Sequence, residues 1–594
     1  MVVVVLLTMS YSCSEDFLTK EPPGSTSENV FYDAKGIDAL LIGTYAMVGG
    51  SSLWDISWGA SIQNWTYGSA ASDDAYKGSE VTDQVPVNEI ERWEVQPTNE
   101  YPANKWKWAF GMGIDRANKT LKVINGSEEE GTITAEKANQ FRAEVRFLRA
   151  LFYFEARLVF GDYLPILDEN TEDPAQVSNV NPEGAVLKFI TDDLAFAASN
   201  LPESQTQVGR PTKYAAMALA ARAYLQDLKY SDAKPLLDNI INSNKYTLVP
   251  DFMDNFNIET NNNEESIFEI QANVNDINES LNAEMGIGLN WPHGGDIGMC
   301  CGFHQPSQNL FNAYKVDENG LPMFDTFNDE DLANDAGISS EETFVPTDHM
   351  LDPRADHTIS RRGIPYKDWG VNRGSNWVRK QSEGGPYLPV AKPFFKQSER
   401  FSLSTTTGWQ TGINANNYRY LRLSHVILWR AEVAAAEGDL VTALMYVNMI
   451  RQRAKDSKVV MGKVLVNELP ASFYPYGEEG DVDWDQPAAN YKIELYSGFA
   501  NADEAMTAVQ WEQRLEFATE GMRFFDLRRW DNLPNKIGGR SMADILNDFA
   551  TADLRVRPSF MAGANFSDVD KYQPIPQDQL DRQPDVLEQR PEYQ

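Results

Sequence analysis

The sequence predicts a mainly α-helical protein, in which a scaffold of helical hairpins carries a large loop-rich lobe. Two segments of paired helices, one in each half of the chain, predict the scaffold. Between them lies a long stretch that is rich in Asn, Gly, Pro and aromatic residues and has little helical period. Long irregular stretches inside compact proteins are usually functional, so we expect the lobe to carry the site.

The helices are predicted from apolar residues that recur at the spacing of an α-helix. Residues 141–160 have a broad apolar stripe, and Gly161 follows them as a typical helix end. Two other segments are alanine-rich, and their small side chains let two helices pack closely, as in tetratricopeptide units. These pairs are predicted at 213–228 with 231–243 and at 418–437 with 440–454, and further helices at 34–48, 101–124, 183–199 and 502–519.

We expect the chain to have four parts. Residues 1–12 are expected to be the remnant of a lipoprotein signal peptide, and 13–260 the N-terminal part of the scaffold with an early aromatic loop. Residues 261–415 form the loop-rich ligand-binding lobe, which contains short strands. Residues 416–594 form the C-terminal hairpin, a signature helix and a tail.

The charge of the chain limits its partners. It has 52 Lys and Arg against 87 Asp and Glu, a net charge of −35 at pH 7. A surface this acidic repels phosphate backbones, so we expect no nucleic-acid partner. The electrostatic field of this acidic surface neither attracts nor repels a neutral ligand.

Catalytic and metal motifs are missing from the sequence. None of the five histidines has metal-ligand spacing, and no nucleophile elbow, Walker loop or dinucleotide fingerprint occurs. We therefore expect no enzyme activity and no cofactor, although a structural calcium ion on the acidic loops is an open alternative. Three cysteines build no disulfide framework, and for the adjacent Cys300 and Cys301 two thiols and a vicinal disulfide are both open.

The N-terminus indicates export. Residues 2–7 are apolar but too few to span a bilayer, and Cys13 follows a few small residues later. This arrangement resembles the end of a lipoprotein signal peptide, where the cysteine becomes acylated. The acidic residues in 14–16 resemble the tag that sends Bacteroidetes lipoproteins to the cell surface. An ordinary cysteine on a frayed apolar end is the alternative.

The C-terminal region carries the most specific pattern. Residues 510–533 read QWEQRLEFATEGMRFFDLRRWDNL and resemble the SusD/RagB signature, in which a helix rich in Arg and Glu leads into Glu-Gly-x-Arg-x-x-Asp-Leu-x-Arg-Trp. Other segments resemble the family in the same order along the chain, although 590–592 depart from its Asn-Pro-Gly. The matching signature residues are Glu520, Gly521, Arg523, Asp526, Leu527, Arg529 and Trp530, and the other segments are 71–78, 147–167, 352–359, 572–580 and 587–593.

The resemblance implies about four tetratricopeptide-like helix pairs with a variable lobe. It also implies a lipid-anchored protein on the outer-membrane surface, which sits over a SusC-like TonB-dependent transporter and delivers a neutral glycan to it. A peptide-binding receptor of the same family is the alternative, and a glycan-degrading enzyme is the third. We interpret Arg523, Asp526 and Arg529 as a structural network.

Three stretches rich in Gly, Ser or Asn place aromatic residues beside short polar ones. Aromatic rings stack on the apolar face of a sugar, and short polar side chains bond its hydroxyl rim. In the resembling proteins, ligand contacts come from an early loop and from the mid-chain lobe; packing or capping is the alternative role. The candidates are Asn64, Trp65, Tyr67 and Asp73 in the first stretch, Asn290, Trp291 and Phe303 in the second, and Trp369 and Trp377 in the third.

Overall fold

The computed structural model describes residues 28–50, 54–275, 282–294, 299–391, 393, 395–399, 413–465 and 481–594. The predicted signal-peptide remnant and Cys13 lie outside these residues, so the lipid anchor stays a prediction. The mainly α-helical fold class is confirmed, because helices form the body and the short strands pair two by two. No described helix is both long and apolar enough to cross a lipid bilayer.

The helices follow the predicted segments closely. The long helix Ala135–Phe160 (α6) shows the local reasons for these boundaries. Thr134 caps its first turn by accepting a hydrogen bond from the amide of Lys137, and Gly161 ends it. The helices are α1 (Ala34–Tyr45), α2 (Trp54–Ser57), α3 (Val85–Glu91), α4 (Glu100–Trp106), α5 (Asp115–Glu129), α6 (Ala135–Phe160), α7 (Ala185–Asn200), α8 (Lys213–Gln226), α9 (Tyr230–Asn242), α10 (Gln308–Ala313), α11 (Ala355–Thr358), α12 (Gln381–Gly384), α13 (Leu423–Glu437), α14 (Leu440–Asp456), α15 (Ala502–Glu516), α16 (Arg523–Trp530), α17 (Met542–Asp553) and α18 (Gln577–Arg582).

The scaffold is a row of helix pairs. α1 packs on α5, α6 on α7, α8 on α9, and α13 on α14, and each pair also contacts the next one. This order agrees with about four tetratricopeptide-like pairs. Gly438 makes the tight turn inside the last pair with a φ of 75°, and Asp439 caps α14 by accepting a hydrogen bond from the amide of Thr442.

Two predicted helices differ from the structure. Residues 418–422, predicted as the start of a helix, form a strand because they pair with a strand at the other end of the lobe. The predicted helix at 101–124 is instead α4, a π-helix at Lys107–Ile114, and α5. Gly113 lies in the π-helix, where a Cβ atom would overlap the ring of Phe152, so the wider turn accommodates close packing on α6.

The strands tie the lobe to the scaffold. They are β1 (Ala75–Gly78), β2 (Ser266–Ile270), β3 (Phe303–Pro306), β4 (Ile359–Ser360), β5 (Leu388–Pro389), β6 (Tyr418–Arg422), β7 (Met461–Val464) and β8 (Val482–Pro487). Four antiparallel pairs form: β1 with β3, β2 with β6, β4 with β5, and β7 with β8. Because β2 and β6 pair with each other, the chain from 271 to 417 leaves and re-enters the scaffold at one ladder.

Buried ion pairs lock this ladder to the signature region. The guanidinium of Arg422, at the end of β6, lies 3.0 Å from a carboxylate oxygen of Glu265, 2.8 Å from Glu516 and 2.7 Å from Glu520. All four side chains are buried, and buried charges are stable only when they are paired in this way.

The signature helix makes a second such network. Arg529 of α16 bonds Asp526 at 2.7 Å and Glu432 of α13 at 2.8 Å. Arg523 bonds Asp73 of the early loop at 2.8 Å. The structural interpretation of these three signature residues is therefore confirmed.

Candidate functional site

The first predicted stretch packs into the interior of the scaffold. Trp65 opens a π-helix (Trp65–Ala70); its indole N–H donates to the carbonyl of Gly286 at 2.9 Å, and its ring meets Phe303 edge-on at 5.9 Å between centroids. Asn64 donates to Glu155 at 2.7 Å and accepts from the ammonium of Lys105 at 3.0 Å. These partners satisfy both ends of the Asn64 amide.

Tyr67 and Asp73 are likewise committed to the protein. The Tyr67 hydroxyl donates to the carbonyl of Gly59 at 3.2 Å, and the Asp73 carboxylate is paired with Arg514 at 3.0 Å and Arg523 at 2.8 Å. Burial alone would raise the pKa of Asp73, but the two guanidinium groups hold it below its ordinary value. Asp73 therefore joins the early loop to the signature helix.

The second and third stretches share one apolar cluster in the lobe. Trp291, Trp369 and Trp377 pack with Tyr366, and the rings of Tyr366 and Trp377 meet edge-on at 5.9 Å. Asn290 is buried beside Trp291, and no described residue pairs with its amide atoms.

The three stretches lie close together in the structure, but their side chains pack against each other and do not line an open site. β1 continues the first stretch and pairs with β3 in the second, while Arg379 of the third donates to the Ser79 hydroxyl at 3.0 Å. Every predicted ligand-binding side chain is at most 5% exposed. The expectation that these rings present open faces is therefore wrong. The lobe has few regular elements, and burying large rings stabilises it. These aromatic residues therefore serve packing in the structure, not ligand binding.

An open depression lies instead between the lobe and the β7–β8 hairpin. We call it the Trp484 depression; its volume is about 430 Å³. Trp484 of β8 is 56% exposed, the largest exposure of any Trp side chain that the structure describes. A Cβ atom at Gly462 would lie 2.8 Å from the Trp484 ring and 2.8 Å from Pro365, so the backbone of Gly462 supports the indole while leaving much of it open.

Other rings and aliphatic side chains extend this surface. Phe395 is half-buried on the wall, beside Val390, Val460 and Met461. Lys367 lies between them, with its ammonium nitrogen 4.8 Å from the centroid of the Phe395 ring. Burial lowers the pKa of Lys367 to about 7, although the neighbouring Asp368 acts in the opposite direction. The lysine therefore carries only part of its positive charge near neutral pH, whereas an ordinary lysine is fully charged.

Most acidic groups on the rim already have partners. Asp251 accepts from the backbone amide of Lys458 at 3.0 Å, and Asp368 accepts from the amides of Lys396 and Gln397 at 2.6 and 2.8 Å. Asp356 is paired with Arg361 at 2.7 Å. An open ring beside polar groups that mostly have partners within the protein suits a ligand with flat apolar faces and no net charge.

Trp484 was missed in the sequence, yet a signal was present. Asp481, Asp483 and Asp485 alternate with Val482 and Trp484, a period of two that predicts a strand with Trp484 on the face opposite the acidic residues. A large ring in so polar a segment has few apolar neighbours to bury it.

Neither cysteine nor metal chemistry adds a second centre. The side chains of Cys300 and Cys301 lie next to each other, and two thiols and a vicinal disulfide both stay predictions. Within the described ranges, no group of three or more His, Cys, Asp or Glu residues is arranged to hold a metal ion. The absence of cofactors and the structural calcium ion both stay predictions.

Comparison with family models gives two matches. Residues 264–593 match the model described as the SusD family, and residues 16–225 match one described as starch-binding and associating with the outer membrane. A SusD-like protein of Bacteroides ovatus is 23% identical over 46% of this chain, and the match spans only 49% of that relative. SusD-like protein P2 of Formosa agariphila is 22% identical over 99% of this chain and 98% of its own length.

The fold also matches solved structures. Surface glycan-binding protein A of Bacteroides thetaiotaomicron, in complex with laminarihexaose, superposes with a TM-score of 0.62 at 20% identity. The superposition covers 94% of this chain and 99% of that protein. At this identity the likeness establishes the fold.

Proposed function

Because this chain belongs to the SusD family, a family of glycan-binding proteins, we propose that it is a non-catalytic receptor that binds a neutral oligosaccharide at the Trp484 depression. The observation that carries the proposal is the open indole of Trp484. Sugar rings expose C–H faces that stack on aromatic rings, and such a surface is of use only when it is accessible. The solved relative bound to laminarihexaose supports this class of ligand.

The electrostatics of the depression support a neutral ligand. The chain has a net charge of −35, which repels polyanions over the whole surface. At the rim, Asp251, Asp356 and Asp368 are held by intramolecular partners. An uncharged oligosaccharide would enter without displacing these pairs.

The same arrangement supports binding without catalysis. Glycoside hydrolysis ordinarily needs two carboxyl groups that flank the scissile bond, one as acid and one as base or nucleophile. Of the four aspartates that line the depression, only Asp254 has a carboxylate that accepts no hydrogen bond within the described part of the chain. One such carboxylate does not provide the pair.

We further propose that the protein is anchored to the outer membrane through an acylated Cys13 and delivers its ligand to a SusC-like TonB-dependent transporter. The match to a family model described as associating with the outer membrane supports the location. Solubilising native membranes and purifying the protein would test the partnership. We expect a TonB-dependent barrel to co-purify, and loss of membrane attachment in Cys13→Ser.

Ligand class can be tested on the purified protein. Isothermal titration calorimetry against laminarihexaose, cellohexaose, maltohexaose, mannohexaose and hexa-alanine would separate a glycan receptor from a peptide receptor. We expect at least one hexasaccharide to bind and hexa-alanine not to bind. Incubating the bound sugar with the protein and assaying new reducing ends should show none; their appearance would establish an enzyme instead.

A further inference from the structure

A second cleft lies on the scaffold side of the β2–β6 ladder. It has a volume of about 470 Å³, within the range of roughly 300–1,000 Å³ typical of small-molecule sites. The end of α1, the loop around Val208 and the end of β2 form its walls. We call it the α1–β2 cleft; it shares no lining residue with the Trp484 depression.

The charged side chains of this cleft are already engaged. Arg210 is paired with Asp38 at 2.7 Å and Glu144 at 3.0 Å. Glu269 is 3.3 Å from Arg419 and accepts from the Asn417 amide at 2.8 Å. Glu284, the third charged residue of the lining, accepts from the backbone amide of Gly286 at 3.0 Å. Because these charged groups already have partners inside the protein, the cleft favours a neutral ligand over a charged one.

Exposed carboxamides form the polar part of the wall. Gln207, Gln271, Asn273 and Asn282 are all exposed and line the cleft together. Gln271 donates to Asn262 at 2.9 Å and accepts from Asn417 at 3.0 Å, so a ligand at this carboxamide would exchange those bonds for its own. A carboxamide presents a donor and an acceptor side by side, which matches two neighbouring hydroxyl groups on a sugar ring. Ile42 and Val208 add exposed aliphatic surface at 54% and 71% exposure, against which the C–H face of a sugar can lie.

The backbone of the cleft disfavours an extended peptide. A peptide that adds a strand needs an evenly spaced row of free N–H and C=O groups. β2 is irregular, with register shifts between Ser266 and Phe268 and again between Phe268 and Glu269. Such bulges disrupt the spacing of a strand edge. Side-chain amides, rather than a backbone ladder, are what this cleft offers.

We propose that the α1–β2 cleft is a second saccharide-binding site, which takes a short neutral oligosaccharide through its carboxamides. This inference rests on the proposed glycan-binding function. With no open Trp or Phe ring among its described walls, the cleft should bind more weakly than the Trp484 depression.

Two blocking variants test the cleft without touching the core. Ala46, the exposed residue that ends α1, and Val208 both lie at its walls, so Ala46→Trp and Val208→Trp should fill it. Ala175→Trp, at an exposed alanine outside both cavities, is the matched control. Calorimetry with the four hexasaccharides would measure the number of sites and the affinity of each.

For the hexasaccharide that binds, we expect two sites in the native protein and in Ala175→Trp. Each blocking variant should lose the weaker site, and Trp484→Ala should weaken the stronger one tenfold or more. If both blocking variants keep two sites at unchanged affinity, the second site is refuted while the Trp484 site stands. If Trp484→Ala has no effect but the blocking variants abolish binding, the cleft is upheld and the placement of the main site is refuted. Binding of hexa-alanine that only the blocking variants abolish would overturn the saccharide assignment of the cleft.

Discussion

Asp73 and Arg523, which are 450 positions apart in the chain, form a buried ion pair at 2.8 Å. The pair joins the early loop, predicted to be a ligand loop, to the signature helix α16. Arg514 contacts the same carboxylate at 3.0 Å and the neighbouring Asp74 at 3.3 Å, so two carboxylates face two guanidinium groups in the interior.

Removing the Asp73 carboxylate should lower the free energy of unfolding. Asp73→Asn keeps the size of the side chain but takes the ion-pair partner from buried Arg523 and leaves Arg514 paired with Asp74 alone, at 3.3 Å. Breaking a buried pair costs about 3–5 kcal/mol. We expect a fall of that order in the free energy of unfolding, measured with urea. Asp115→Asn breaks an exposed pair with Lys119 and should change it by less than about 0.5 kcal/mol. Equal effects for the two variants would contradict the structural role of Asp73.

Gly521 in the signature should tolerate no side chain. Its φ is 79°, and a Cβ atom there would overlap the carbonyl oxygen of Gln63. Gly438 has a similar φ of 75° but open space around it. Gly438→Ala should therefore lower the free energy of unfolding by about 1–2 kcal/mol, because alanine is strained in the left-handed backbone conformation. Gly521→Ala adds a backbone clash and should cost more or fail to fold, as thermal unfolding would show. Similar melting temperatures for both variants would rule out the close contact between Gly521 and Gln63.

Trp291, a predicted ligand residue, should behave as a core residue. It is 1% exposed and packs with Tyr366 and Trp377, so Trp291→Ala should lower the free energy of unfolding by about 3–5 kcal/mol. Replacing the exposed Trp484 by Ala should lower the free energy of unfolding by less than about 1 kcal/mol. Urea unfolding of both variants measures the contrast. A stable Trp291→Ala protein with weakened sugar binding would restore the original prediction for this residue.

Lys367 should make stability depend on pH. Its pKa is about 7 in the folded protein, against 10.5 for an ordinary lysine. Between these values the unfolded chain binds a proton that the folded protein does not. The contribution of this lysine to the free energy of unfolding therefore rises as the pH rises from about 7 to 10. Lys367→Met lacks this titrating group and should not show the rise. The free energy of unfolding of the native protein should therefore increase relative to that of the variant as the pH increases. Parallel pH profiles of the two proteins would contradict the lowered pKa.

The fold could be predicted because its signals are local. The apolar spacing in α6, the small residues of α8 and the glycine turn before α14 each depend on neighbours in the chain. The strand at Tyr418–Arg422 could not be predicted in this way, because its partner β2 is about 150 residues upstream. Pairing across the lobe overrode the local helical pattern.

The site was predicted less well than the fold. Trp65, Trp291 and Trp377 lie in Gly- and Asn-rich stretches, which are typical of exposed loops, yet tertiary contacts bury all three rings. The composition of a short stretch cannot predict which of its rings will be buried by residues from distant parts of the chain. Trp484 is the opposite case, because its ring is 56% exposed although it lies outside the three stretches predicted to bind ligand.

The affinity of Trp484→Ala for the hexasaccharide that binds is the most direct test of the receptor mechanism. Loss of one stacked ring is worth on the order of 1–3 kcal/mol, so the stronger site should weaken about tenfold or more while the melting temperature stays unchanged. Trp484→Phe keeps a ring and should retain most of the affinity. If Trp484→Ala binds as tightly as the native protein, the sugar does not stack on this indole and the proposed site is wrong.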